Sequence, residues 1–355
     1  MKRRTFVRTS GAAAAGLALH SVIGDVLAAP KRPNILCLST EDIGPVHGCY
    51  GDPIAVTPAI DKLASEGVRY TRAFTCSGVC APSRYSIATG RYPTSDGTQH
   101  MRSGIGAGQG VECYSRLPED VRLFPSYLRD AGYYCTNSFK EDYQVAAPPG
   151  TWDESGLTAH WRNRAHGQPF FHIANFMTTH ESQAQNVGPS LSSRGLGSRI
   201  GPFFETHEID VVGGTELPED RRVDPDTVPV PPYYPDTPAI REDIARNYDN
   251  VSAMDMQVAS VLRQLEADGL AEDTIVLYWS DHGGPLARGK RWIYDSGIHV
   301  PLIARIPEKF RTPGQGSTRI SGRSAGELLR PCADNAEPAW YHDTRYRAGP
   351  SVFGR

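Results

Sequence analysis

Short continuous apolar runs recur along this chain, and stretches of helical spacing lie between them. That alternation constrains the fold more tightly than any other feature. Residues 34–39 (NILCLS), 170–176 (FFHIANF) and 274–279 (TIVLYW) have the length and continuity of strands buried on both faces. Residues 68–74, 133–138 and 300–306 are further strand candidates. Thr57-Pro58 reads as a cap followed by proline at the first helical position; Ile60, Leu63 and Ala64 share a face, and Gly67 is the stop. Residues 123–132 read as another helix. A long amphipathic helix opens at Thr237-Pro238, repeats apolar residues from Ile240 to Leu265 at helical spacing, and closes at Gly269. Strands and helices in alternation predict an α/β fold with a mostly parallel central sheet flanked by helices.

Composition narrows the function. Hydrophobic residues form 39% of the 355 and charged residues 22%, enough for a packed core. The 35 glycines and 28 prolines call for many loops and argue against a helical bundle. A net charge of −3 gives no reason to expect a nucleic-acid partner. Seven cysteines, an odd number thinly spread, do not make a disulfide scaffold. Residues 1–29 differ from the rest: Lys2, Arg3, Arg4 and Arg8 precede a short apolar run at 11–19, too short to span a bilayer. They predict a signal peptide, and Arg3-Arg4-Thr5-Phe6-Val7-Arg8 fits the twin-arginine pattern. The expected product is not membrane-spanning and is exported, periplasmic or extracellular.

In such sheets ligands sit beyond the carboxyl ends of the strands. Glu41-Asp42 follows the first strand, Lys140 and Asp142 the one at 133–138, His180 the one at 170–176, and Asp281-His282 the one at 274–279. Converging on one rim, they describe a site with both carboxylates and cations. Glu41, Asp42, Asp281 and His282 offer hard ligands for a divalent cation such as Ca²⁺; helix caps or solvated turns are the bland alternative. Arg84, Lys140 and Lys290 beside that metal would suit a tetrahedral oxyanion, sulfate or phosphate.

Residues 76–84 (CSGVCAPSR) sharpen this reading. Pro82 favours a helix at about 83–89 with Cys80 just before it, where the helix dipole favours anions. As a plain thiol, Cys80 would be a low-pKa nucleophile or half of a disulfide with Cys76. The four-residue spacing to Arg84 does not fit the Cys-x5-Arg loop of tyrosine phosphatases. Cys80-Ala81-Pro82-Ser83-Arg84, followed by Thr89-Gly90-Arg91-Tyr92-Pro93, resembles the signature C-x-P-S-R…TGxYP of the type I sulfatases in the alkaline phosphatase superfamily. The resemblance spans roughly residues 32–307.

The resemblance implies that a formylglycine-generating enzyme oxidises Cys80, and that the hydrated aldehyde attacks sulfur and then expels sulfate by re-forming its carbonyl. It further implies that Arg84 supports the hydrate, that Glu41, Asp42, Asp281 and His282 bind Ca²⁺, and that Lys140 and Lys290 grip sulfate. His180 falls on the histidine near the leaving oxygen. Two positions depart from the family: Glu41 stands where aspartate is common, and Lys140-Glu141-Asp142 replaces Lys-x-His, leaving Asp142 as a candidate base. Residues 97–102 resemble the bacterial heparan N-sulfatase-like and arylsulfatase branch, with Gln99, His100 and Arg102 as substrate contacts. The implied partners are a sulfated carbohydrate or aryl sulfate and, for export, the twin-arginine translocase. A phosphoester or phosphonate hydrolase on the same fold, or a truncated inactive member, are the alternatives. The catalytic domain is expected over 30–310. Residues 311–355, with seven arginines and no lysine, read as an atypical, frameshifted or truncated tail in place of the family's C-terminal subdomain.

Overall fold

The computed structural model describes residues 32–101, 114–184 and 217–311. The expected signal peptide, Arg102 and the tail beyond Arg311 lie outside the described residues. The chain divides at Pro33, and the architecture below is that of the unit beginning at Asn34.

Seven strands form one sheet: β1 (Asn34–Thr40), β2 (Val68–Phe74), β3 (Tyr134–Ser138), β4 (Glu154–Ser155), β5 (Phe170–Phe176), β6 (Thr274–Ser280) and β7 (His299–Arg305). Their order is β2-β7-β6-β1-β5-β3-β4. β1 lies between β5 and β6 and is parallel to both, with Ile35 opposite Phe171 and Ile275. β3 is parallel to β5 and β4. β7 runs antiparallel to β6, and β2 antiparallel to β7, so β7 alone points against the others. The expected mixed α/β fold with a mostly parallel sheet is the fold found. The carboxyl ends of β1, β2, β3, β5 and β6 and the start of β7 therefore share one edge.

Both faces of the sheet are covered, which is why its inner strands read as unbroken apolar runs. On one face Leu36, Leu38, Phe170, Phe176 and Val276 pack with Ile60 and Leu63 of α1 (Pro58–Glu66). The same cluster takes in Val251, Met254, Val258, Val261 and Leu265 of the long helix Pro238–Ala267. On the other face Cys37, Cys135, Phe171 and Ile173 meet Phe124 and Leu128 of the helix Phe124–Asp130. Each large side chain so enclosed contributes about 1.5–3 kcal/mol. In chain order the helices after α1 are α2 (Cys80–Thr89), α3 (Phe124–Asp130), the short α4 (Glu181–Ala184) and the long α5 (Pro238–Ala267). A last short helix, α6 (Asp295–Ile298), leads into β7. No helix among the described residues is long and apolar enough to cross a membrane.

Helix starts differ from expectation in two places. Thr57 stands at the N-cap of α1, but its hydroxyl accepts from Gly48 N–H at 3.0 Å and donates to Asp61 at 3.1 Å. The first-turn N–H groups of Ala59 and Ile60 donate instead to Asp255 of α5, at 3.1 and 2.9 Å. Burial raises the Asp255 carboxyl to about 6. α2 begins at Cys80 rather than at 83, so Pro82 sits inside the first turn, where its missing N–H leaves no helical bond unmade. At the start of α5 Thr237 does accept from Ile240 N–H, at 3.4 Å.

Candidate active site

The carboxyl-end rim brings the predicted residues together. Glu41 and Asp42 leave β1, Lys140 and Asp142 leave β3, His180 follows β5, and Asp281 and His282 leave β6. Cys80 and Arg84 enter on α2, just beyond β2, and Lys290 enters on the loop ahead of α6 and β7. Cys80, at the first position of α2, is 2% exposed. Its Sγ lies 3.4 Å from His282 Nε2 and 3.9 Å from Asp42 Oδ1. The turn at Asp42 is left-handed (φ 50°), a conformation that aspartate tolerates better than most side chains.

Arg84 sits under this cluster with all its nitrogens engaged. Nε donates to Asp281 at 3.2 Å, Nη1 to Asn175 at 2.9 Å, and Nη2 to Ser39 at 3.4 Å and to Glu41. It therefore locks the carboxylates in place, with four of its five N–H donors engaged. Ser83 fixes the helix start by donating to the Asp281 carbonyl at 2.5 Å. Each lysine faces different acids: Lys140 Nζ lies 2.5 Å from Glu41 and 3.3 Å from Asp142, and Lys290 Nζ lies 3.0 and 2.7 Å from the two oxygens of Asp42. His180 Nε2 is 3.3 Å from Lys290 Nζ.

Glu41, Asp42, Asp281 and His282 are fully enclosed, so their protonation is set by one another. Burial alone would raise the Glu41 carboxyl; Arg84 and Lys140 outweigh it and hold it well below the usual range. Burial opposes ionisation of Asp42 too, but His282 and Lys290 keep it low. Asp281 goes the other way, raised by burial and by Glu41. His282 is held well above its ordinary value, because Asp281 and Asp42 overcome its burial. Burial lowers His180; Asp42 opposes that shift and Lys290 adds to it. The Cys80 thiol is raised, chiefly by burial. This corrects the low-pKa thiolate expected at the helix start: burial dominates even with Lys140 nearby. Nor does Cys80 pair with Cys76; both are free, and the exposed Cys76 donates to Ser86 at 2.8 Å.

The donor set fits a metal ion. Ligand atoms of Asp42, Cys80, Asp281 and His282 all lie within 4.8 Å of one another, and a second group links Glu41, Asp42, Cys80 and His180. His282 Nδ1 lies 2.9 Å from the Gly283 carbonyl, an acceptor only, so Nδ1 keeps its hydrogen and Nε2, which faces Asp42 at 2.8 Å, is the nitrogen whose proton a metal would displace. Three enclosed carboxylates and a histidine are a donor set that suits a hard divalent cation, beside the charge that Arg84, Lys140 and Lys290 already supply.

Gln99 and His100 are exposed beyond a short turn at Pro93–Ser95, and no hydrogen bond or ion pair joins them to the cluster among the described residues. Residues that sequence reasoning passed over also matter. Asn175, inside β5, holds Arg84 while donating to Asn137 at 2.9 Å, and its signal was a lone amide in the apolar run FFHIANF. Glu181 was unmarked; its N–H donates to Asp42 at 2.7 Å.

A mostly parallel α/β sheet thus carries a buried cysteine, a cluster of candidate metal ligands and two lysines together at its carboxyl edge. A sulfatase family model matches residues 33–325, and the chain belongs to the sulfatase family of the alkaline phosphatase superfamily. An ulvan-active sulfatase of Formosa agariphila is 45% identical over 305 residues, covering 82% of this chain and 50% of the relative. Human N-sulphoglucosamine sulphohydrolase is 29% identical over 323 residues, covering 84% and 60%. The chain thus spans about half of the first relative's length. A solved 2-O GAG sulfatase shares the fold at a TM-score of 0.54 and 21% identity, over 81% of this chain and 66% of that one. The phosphonate monoester hydrolase of Agrobacterium radiobacter shares it at 0.56 and 17%, over 86% and 73%.

Proposed function

We propose that this chain hydrolyses sulfate esters of a sulfated saccharide, with Cys80 converted to formylglycine as nucleophile and Ca²⁺ held by Glu41, Asp42, Asp281 and His282. The observation that carries the reading is the Cys80 side chain opening α2 amid the converged strand ends, between Asp42 and His282. A raised, enclosed thiol is a poor nucleophile as it stands, so conversion of that side chain gives its position a purpose. The relatives with printed sulfatase names, one of them ulvan-active, support a sulfated polysaccharide as substrate class.

Bound calcium would supply charge neutralisation and Lewis-acid pull on a sulfate oxygen. This chain's own residues divide the remaining work. Lys140 and Lys290, each ion-paired in the arrangement shown, are cations that can turn to the sulfate oxygens. Arg84 keeps Glu41 and Asp281 oriented. In this reading His180 bonds the leaving oxygen, and Asp142, 3.3 Å from Lys140, takes up the proton freed as sulfate departs. Conversion requires a formylglycine-generating enzyme as partner, and the Arg3-Arg4 leader supports export by the twin-arginine translocase to the periplasm or beyond.

The test is sulfate release from ulvan oligosaccharides and from a small aryl sulfate, with the matching aryl phosphate in parallel and mass spectrometry of the Cys80 peptide. Sulfate release together with the aldehyde mass is the expected result. Faster phosphate than sulfate release, or turnover by a chain whose Cys80 is unmodified, would overturn the reading.

A further inference from the structure

Lys290 and Arg291 are consecutive, yet their side chains part company. Arg291 takes a left-handed backbone conformation (φ 75°), unfavourable for a side chain of its size, and so must be held. Its N–H donates to the Gly78 carbonyl at 2.6 Å, on the loop leading to Cys80. There is no room at that junction, since a Cβ on Gly78 would lie 2.4 Å from the Trp292 carbonyl oxygen. Its guanidinium grips both oxygens of Glu181, at 2.7 and 2.8 Å. Glu181 is in turn tied by its own N–H to Asp42 and follows His180 directly. Lys290, meanwhile, points inward to Asp42 and lies 3.4 Å from Glu181.

We propose that Glu181 and Arg291 form a positioning pair, fixing the Lys290 loop against the end of β5 so that Lys290 and His180 meet the same substrate. The proposal rests on the sulfatase reading. Exposed ion pairs are usually worth little for stability, and an unrestrained lysine has a long flexible stem. Here the pair is bidentate, and backbone bonds anchor both partners, so its effect is geometric. It also occupies Glu181, which sits close enough to Lys290 to compete with sulfate for that ammonium.

The experiment uses the full-length mature enzyme and the variants Glu181→Gln, Arg291→Ala and the double variant. Each single change should lower kcat on an aryl sulfate on the order of 10- to 100-fold. The double variant should be no worse than the poorer single one, and Arg291→Lys should recover only part of the loss. Hydrogen exchange over residues 286–293 should quicken in both single variants, with bound metal and Tm close to wild type. Additive losses, unchanged exchange, or a Tm that falls in step with activity would overturn the pairing. A wild-type enzyme that releases no sulfate would sink the function reading instead, and the exchange arm would still show whether the pair holds the loop.

Discussion

Cys80 is closed off from solvent with its thiol pKa raised, yet it stands nearest the groups able to assist a reaction. Cys80→Ala removes one sulfur atom at a helix start and leaves the α2 backbone its bonds, so the fold should survive with Tm changed by no more than a few degrees. Sulfate release should disappear; substantial turnover by the purified variant would mean that Cys80 is not the nucleophile. Arg84 poses the opposite case. Arg84→Ala strips Glu41 and Asp281 of their shared cation and leaves Lys140 to balance the enclosed carboxylates alone on that side, at a cost of about 3–5 kcal/mol in urea unfolding. A loss below about 1 kcal/mol would contradict the locking role. At this scale the sequence was a good guide wherever a charged residue directly followed a strand: Glu41, Asp42, Asp281 and His282 were legible from position alone. Ser39 and Asn175 were not, because their roles come from the register that sets β1 beside β5, and Glu181 was not, because its role comes from which loops pack together. Gln99 and His100, singled out by resemblance, are exposed, and no hydrogen bond or ion pair among the described residues ties them to the cluster.

Among the elements, six of the seven described strands were read to within a residue or so, since enclosed strands leave continuous apolar runs; the two-residue β4, polar and at the sheet edge, leaves none. Helix starts were harder. No local pattern announces that α1 is capped by Asp255, 195 positions away from Ile60. Asp255→Ala should leave two first-turn N–H groups without their acceptor and cost about 1–2 kcal/mol in thermal or urea unfolding. The pH dependence has a definite sign. An unfolded Asp titrates near 4, whereas Asp255 in the fold titrates at about 6. The folded state thus holds this proton more tightly, and the stability so gained is present below about pH 4 and lost as pH rises through 6. Asp255→Asn cannot titrate, so its Tm deficit against wild type should narrow between pH 5 and pH 8. A deficit that widened over that range would show the carboxylate to be favoured in the fold.

Across the whole molecule, the rim joins side chains from both ends of the described chain, and a bound cation would tie β1 to β6. Chelation should therefore lower Tm as well as activity. Added Ca²⁺ should raise Tm with the logarithm of its concentration, giving about 2.7 kcal/mol at a hundredfold excess over Kd. A Tm indifferent to both chelator and calcium would remove the metal from the proposal. The reversed direction of β7 was the one global feature hidden in the sequence. Its apolar run resembles the others, and only the loop carrying Lys290 back along the same edge makes an antiparallel return possible.

Synthesis runs from the N-terminus, and the central strand waits for its neighbours. Asn34 of β1 bonds partners in β5 and β6 that lie 136 and 240 residues further on. Lys290 follows Cys80 by 290 − 80 = 210 residues. At translation speeds of about 5–20 residues per second, roughly 10–40 s pass between the two. During that interval the thiol stands on a chain that cannot yet enclose it. An enzyme acting on Cys80 has this window in which to find it; once the sheet closes, only unfolding would expose the thiol again.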